Sequence, residues 1–359
     1  MTVSEATLTG FTREAVEELS RRKQEPSWLR DRRLAAWDVF ESLPWPQRSD
    51  EEWRRTDFRA LKFDKLAPFV FAPDGSVSES LLGDVKAVSA GEQNAGVVIQ
   101  QDAVTLQNQH DAAHAEKGVV FCDLDTAFRD HRELVERYFM TQAVPVDFGK
   151  FEALHAALWQ GGMFLYVPAG VSVELPYRNF AVASEGGSSV FTHTLAVLEE
   201  GAEAFVVDAY SSPEREEQTF ISAVVELLVA KDAKLRYVQV QDWGRNVWNF
   251  MTERAVLGED STLNSLQVTL GSRFSKNSIG AHLRGKNSLA EMLGIYFADG
   301  DQFFDHHTWQ LHESPYATSD LEFKGALKGS ARSVYSGLIK VFEGAQKTDA
   351  YQQNRNLVL

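Results

Sequence analysis

Cysteine is almost missing from this chain: Cys122 is the single one among 359 residues. One thiol can neither close an internal disulfide nor furnish an all-cysteine metal site, so both are excluded within one chain. Long apolar runs are missing too. The best candidate, ISAVVELLVA (221–230), falls short of the ~18 residues needed to span a bilayer and is interrupted by Glu226. The N-terminal MTVSEATLTG has neither the basic nor the apolar region of a signal peptide. Positive charge is scarce, with 36 Lys and Arg against 51 Asp and Glu, a net charge of −15. That balance excludes a general nucleic-acid binder and suits an anionic membrane surface poorly. The nucleotide and hydrolase signatures G-x-x-x-x-G-K-[ST], G-x-G-x-x-G and G-x-S-x-G do not occur. A cytoplasmic protein with neither nucleic acid nor membrane as partner is expected.

What is present supports a sizeable core, since hydrophobic residues make up 44% and charged residues 24%. Residues 1–65 read as helical. Phe11, Ala15, Val16 and Leu19 fall at helical spacing before a stop at Pro26. A second helix from Ser27 carries Leu29, Arg33, Ala36 and Phe40 on one face and ends at LPWP (43–46). Ser49 and Glu52 form a capping-box pattern ahead of Trp53. Residues 66–162 read as mixed α/β. KGVVFCDLDTAF gives a buried strand with Cys122 packed at its end, then a helix through Phe128, Val135 and Tyr138. FEALHAALW gives an amphipathic helix closed by Gly161-Gly162, with His155 as a packed histidine.

From 163 to 359 helical periodicity gives way to short β-rich runs between similar turns. Measured from Gly201, Lys231, Glu259, Gly285, Gly300, Gly329 and Gly344, the steps are 30, 28, 26, 15, 29 and 15. Spacings near 15 and twice 15 point to a solenoid, in which each coil buries its face against its neighbours. The fold expected is mostly β: a parallel β-helix preceded by an N-terminal helical and mixed α/β region. A cupin-like antiparallel barrel is the rival, suggested by VPAGVSVELP (167–176), but that region offers only His193 toward a metal motif.

The densest run of chemistry-bearing side chains is QFFDHHTWQLHESP (302–315), which holds His306, His307 and His312. On a strand, alternate residues face opposite ways. His306 and His312 then share a face some 20 Å apart while His307 points away, so no mononuclear metal site forms within the run. Each is expected to have a structural role, or to lie at an interface or near a cluster shared with a neighbouring chain. Asp299, Asp301 and Asp305 raise the alternative of a β-helix carbohydrate-active enzyme, which needs carboxylates at ~5–10 Å. Asp301 and Asp305 would stand about 13 Å apart on one strand face, and turn geometry accounts for these acids as well.

Four segments carry a family resemblance: EEWRRTDF (51–58), FEALHAALWQGGMFLYVPAGVSVELP (151–176), VQDWG (240–244) and KGALKGSARSVYSGLIKVFEGAQKTDAYQQNRNLVL (324–359). Together they resemble the SufB/SufD scaffolds of the SUF iron–sulfur assembly system. The resemblance implies a right-handed parallel β-helix after an N-terminal helical region. It also implies a non-enzymatic scaffold that works with a SufC-like ATPase and a SufB-like paralogue, or as a homodimer without the latter. ATP would be bound by the ATPase, and a nascent iron–sulfur cluster would exist only in the complex, with no cofactor in the isolated chain. SufB chains carry a sulfur-accepting cysteine where Tyr210 stands here, in VDAYSSP. Gln241 and Trp243 match SufB's sulfur path, but its lysine falls at Glu253. A carboxylate disfavours a second negative charge, so these departures resemble SufD more closely. The family's further coils, its C-S-H-G motif and its C-terminal helices do not precede Leu359, and truncation is the expectation.

Overall fold

The computed structural model describes residues 8–71 and 93–359. Two helices open the described chain. Helix α1 (Arg13–Arg22) is capped by the Thr12 side chain, which accepts a hydrogen bond from the Ala15 amide at 3.1 Å. Helix α2 (Ser27–Ser42) starts directly after Pro26, whose fixed φ suits a helix entry. Short helices α3 (Ala112–Ala115), α4 (Leu124–Asp130) and α5 (Arg132–Tyr138) precede α6 (Lys150–Leu158).

The strands form two sheets. One contains β1 (Gly96–Gln101), β2 (Val104–His110), β5 (Ser172–Val182), β7 (Glu203–Ser211), β9 (Lys234–Asp242), β11 (Thr262–Thr269), β13 (Leu289–Ala298), β15 (Thr318–Leu327) and β17 (Asp349–Val358). The other contains β3 (Val120–Asp123), β4 (Gly161–Val167), β6 (Ser189–Leu198), β8 (Thr219–Val229), β10 (Val247–Leu257), β12 (Phe274–Leu283), β14 (Phe303–His312) and β16 (Arg332–Val341). From β4 onward the chain alternates between the sheets, and each strand pairs in parallel with the strand one coil away. This is a parallel β-solenoid behind a helical region. Parallel pairing of coil on coil from β4 to β17 removes the antiparallel cupin-like barrel; only β1–β2 and β3–β4 pair antiparallel among the described strands.

The turn spacing now has a physical reading. The corner from the even-numbered to the odd-numbered sheet needs a left-handed residue in every coil: Gly170, Gly201, Asp232, Asp260, Asn287, Tyr316 and Lys347. One coil is therefore close to 30 residues. The steps of 15 arise where the sequence anchors cross from this corner to the opposite one, marked by Gly300 and Gly329.

The two sheets differ in what covers them. Strand β8 is buried along its whole length because its two faces meet different cores. Ile221, Val225 and Leu227 point between the sheets, whereas Phe220, Val224 and Leu228 point into an aromatic layer beneath the helices. The odd strands alternate, with β9 burying Leu235, Tyr237, Gln239 and Gln241 and exposing Lys234 and Arg236. Helix α2 is locked to the end of α6 by Arg33. Its guanidinium pairs with Glu25 at 2.7 Å, donates to the Ala157 and Trp159 carbonyls, and lies 4.1 Å from the Trp159 ring.

Three local expectations are corrected. No capping box forms at Ser49 and Glu52; Asp50 precedes the short 3-10 turn Glu51–Trp53, and its carboxylate accepts from the Gln47 amide. The helix through Phe128 and Tyr138 is two helices broken at His131. Gly161-Gly162 does not close α6 but begins β4, one coil edge earlier than residue 163. Strands β1 and β3 also join the sheets from within the segment read as mixed, of which residues 72–92 lie outside the described residues.

Gly162 has φ +126°, and a Cβ there would run into the backbone carbonyl of His193 on the next coil. Gly162→Ala is expected to cost about 3 kcal/mol or more. Urea unfolding of the purified chain measures it, and an unchanged midpoint would contradict this packing.

Candidate functional site

Strand β14 carries the three histidines, and alternation separates them as expected. His306 and His312 face the solenoid interior, while His307 faces outward. His306 stacks on Tyr296 with ring centroids 4.8 Å apart, and its Nε2 sits 3.3 Å from Thr269 Oγ1. Burial pushes its imidazole down to about 4, so it is neutral at pH 7. His312 Nε2 lies 2.8 Å from Ser319 Oγ, and burial likewise lowers its pKa.

Outward from the same strand, Asp305 builds an ion cluster that the sequence did not announce. Lys276 Nζ donates to its carboxylate at 2.9 Å and to the Glu52 carbonyl at 2.8 Å. The Thr56 hydroxyl donates to the same carboxylate, and His307 Nε2 lies 3.0 Å away. Burial opposes ionisation of Asp305, yet the His307 hydrogen bond and the Lys276 charge hold it below the usual carboxylate range. The cluster fastens the loop around Glu52–Thr56 to the core. Asp301 sits in an exposed turn 3.2 Å from Arg273, and Asp299 pairs with Arg245 at 2.5 Å. These acids meet basic partners and do not converge as a carboxylate pair.

Inside the solenoid, hydrogen-bonded polar residues stack in register. Tyr210, Gln241, Thr269 and Tyr296 occupy one ladder, and Asn179, Asp208, Gln239 and Gln267 the next. The buried Asp208 carboxylate accepts from Asn179 (3.0 Å), Thr194 (2.8 Å), Tyr237 (2.7 Å) and Tyr210 (3.3 Å). Tyr210 stacks on Trp243 at 5.7 Å and 10°. Gln241 bonds both backbone groups of Gly271, closing the next turn. Glu253, on β10, accepts from the Gln267 amide, and burial pushes its pKa up to about 8.

A second buried polar chain, missed in the sequence, joins sheet to helix. Ser222 Oγ lies 3.0 Å from His155 Nδ1, His155 Nε2 lies 3.1 Å from His193 Nδ1, and His193 Nε2 lies 3.2 Å from Glu226. Glu226 also accepts from the Met140 and Val144 amides, and burial raises its pKa to about 8. The one signal available was Glu226 itself, an acid inside the longest apolar run. Cys122 is packed in the core under the helices, where burial pushes its thiol up to about 12. Among the described residues no three His, Cys, Asp or Glu side chains are grouped to hold a metal ion.

Two family descriptions match this chain. The SufBD core domain of the SUF system for FeS cluster assembly covers residues 180–359, and the SufBD protein N-terminal region covers residues 4–178. The chain belongs to the SufBD family. Iron–sulfur cluster assembly SufBD family proteins of Staphylococcus haemolyticus and Staphylococcus epidermidis are each 31% identical to it over 340 residues. A Staphylococcus saprophyticus relative is 30% identical over the same length. Each match covers 92% of this chain and 72% of the relative. It is therefore a SufBD family iron–sulfur cluster assembly protein, and among its described residues no helix is long and apolar enough to cross a membrane.

Removing one side of the Asp305 cluster strands a buried charge. Lys276→Met is expected to lose about 3–5 kcal/mol, and Lys276→Met with Asp305→Leu to recover most of it. Denaturant unfolding of the three variants provides the check.

Glu226 and Glu253 hold a proton more tightly when folded (about 8) than at their ordinary value of 4.5. Their contribution is full below that ordinary value and is lost as pH rises through about 8. His306 works in reverse: its contribution is full above 6.5 and is lost as pH falls through about 4. Unfolding midpoints should decline from pH 6 to 9, and Glu253→Gln should flatten that decline. An unaltered alkaline slope in the variant would contradict the neutral assignment.

Proposed function

We propose that this chain is the SufD-like, non-enzymatic scaffold subunit of a cytoplasmic SUF complex, paired with a SufB-like paralogue and a SufC-like ATPase. One observation carries the reading. The residues at the positions that resemble SufB's sulfur path are neutral side chains already engaged within the solenoid interior. Tyr210 occupies the thiol's place, stacked on Trp243 and bonded to Asp208. Glu253 occupies the lysine's place, protonated and bonded to Gln267. Gln241 holds the turn at Gly271. A persulfide would meet neither a thiolate nor a cation here.

The chain's own thiol cannot substitute. With its pKa near 12, Cys122 is almost wholly protonated at neutral pH, and the thiolate is the nucleophile. On this reading the chain contributes shape and an interface. The cluster is cargo built on the assembled complex, and ATP is bound by the partner ATPase. His306 and His312 serve packing inside the solenoid. His307, beside the Lys276–Asp305 pair, lines a groove with Trp45, Trp53, Phe148 and Trp309 and is on this reading the candidate for contact with a partner.

Sulfur transfer tests the reading. The complex is incubated with a cysteine desulfurase and sulfur-35 cysteine, then its chains are separated without reductant. Label is expected on the paralogue and absent from this chain, and Cys122→Ser should leave cluster assembly unchanged. Label on Cys122 would refute the structural role.

A further inference from the structure

The polar chain between α6 and the even-numbered sheet has a proton arrangement that its geometry fixes. Four side chains on three elements meet in series: Ser222 on β8, His155 on α6, His193 on β6 and Glu226 on β8 again. The links measure 3.0, 3.1 and 3.2 Å. His155, His193 and Glu226 are wholly buried and Ser222 is 3% exposed, so bulk water neither gives nor takes a proton here. Each link then holds one proton, contributed from one side or the other.

The Ser222 end sets the direction. Its carbonyl as well as its hydroxyl bonds the His155 ring, and a carbonyl only accepts. The ring proton of His155 therefore sits on Nδ1, and its Nε2 is bare. His193 must donate to that nitrogen from Nδ1, which leaves its own Nε2 bare as well. Among the described residues only the Glu226 carboxyl faces this last nitrogen as a partner. A bare imidazole nitrogen and a carboxylate repel each other, so the final proton belongs to Glu226, held as the acid. Its oxygens also accept from the Met140 and Val144 amides, which ties the loop 139–144 to the same chain.

Losing that proton leaves no neutral arrangement in which every link holds. His193 can then meet the carboxylate only from Nε2–H, and its bare Nδ1 faces the bare Nε2 of His155 at 3.1 Å. Reversing His155 as well sets a bare Nδ1 against the Ser222 carbonyl. A cationic imidazole is no way out, because burial and the nearby Arg32 and Arg33 disfavour it. The other charges facing the chain are already engaged. Arg32 donates to the Phe139 carbonyl at 2.6 Å and lies near Glu136, and Arg33 pairs with Glu25. Arg254, beside Glu226 in the ladder, turns to the Glu253 and Ser278 carbonyls. The loop 139–144 brings no titratable side chain.

We propose that Glu226 is a proton-operated latch. As the acid it joins α6 and the loop 139–144 to the sheet, and on ionising it opens the joint at the His155–His193 link. Burial raises its pKa to about 8, so the latch is closed at pH 7 and opens as pH rises through that value.

The test uses the full chain labelled with nitrogen-15 histidine. Long-range proton–nitrogen spectra at pH 7 should show His155 and His193 both neutral, with the proton on Nδ1. Their signals are those lost in a His155→Gln, His193→Gln double variant. Hydrogen exchange read by mass spectrometry, corrected for the intrinsic rate at each pH, then follows the segment 139–159. Its protection should fall tenfold or more from pH 7 to pH 9 in the native chain. In Glu226→Gln, which cannot ionise yet still offers His193 a donor, it should change less than twofold. Glu253→Gln, in the solenoid interior, should keep the native fall. An Nε2–H tautomer at either ring, no fall in the native chain, or the same fall in Glu226→Gln would each overturn the proposal. If circular dichroism shows Glu226→Gln unfolded, the tautomers and the exchange of the native chain decide it.

Discussion

The constraint on which the structure depends is coil-on-coil register. Each strand bonds along its length to the strand one coil before and after, so a side chain sits ~4.8 Å above its counterpart nearly 30 residues away. A buried polar group must then find its partner in the same ladder or across the narrow space between the sheets. Asp208 does both, accepting from Asn179 one coil below and from Thr194 across the interior. Tyr296 shows the steric side of the same rule. Its ring occupies the place a Cβ would need on Gly325, one coil above, and its hydroxyl donates to Asn356 two coils above. His306 and Glu253 stay neutral in that interior because their charged forms would be stranded there.

Register also gives the molecule two unlike sides. The even-numbered sheet has apolar outward residues, and the N-terminal helices close over them through Phe11, Trp53, Phe151 and Phe250. Three buried polar joints fix that closure: Arg33 at the end of α6, the His155–His193–Glu226 chain, and Lys276–Asp305 with Thr56. None of them reaches into the interior, so the helical layer is anchored independently of the inner ladders.

Much of the architecture was legible because its cause is local. The even-to-odd corner demands a left-handed residue, and Gly, Asp and Asn fill it in five of seven coils, leaving a periodic trace. Tyr316 and Lys347 take the same conformation without any such signature. The histidine run was resolved by alternation alone, since period two is a property of the strand and not of the fold. The family was legible from segments spread along the chain. The buried pairings were not. Thr56 and Asp305 lie 249 residues apart, and nothing near either predicts their meeting. Ser49 and Glu52 had the pattern of a cap but not the helix, because the 3-10 turn at Glu51–Trp53 is only three residues long. Gly162 looked like a helix stop, and its conformation is instead required by close approach of the next coil at His193.

The central claim is that this SufBD chain acts as a shape-giving subunit and not as a sulfur acceptor or a free-standing catalyst. Native mass spectrometry of the chain mixed with a SufB-like paralogue and a SufC-like ATPase tests it most directly. The account expects one stable complex containing this chain together with both partners, and no metal or sulfur mass on this chain itself. A chain that stays alone in that mixture, or that carries bound iron or persulfide sulfur on its own, would contradict it.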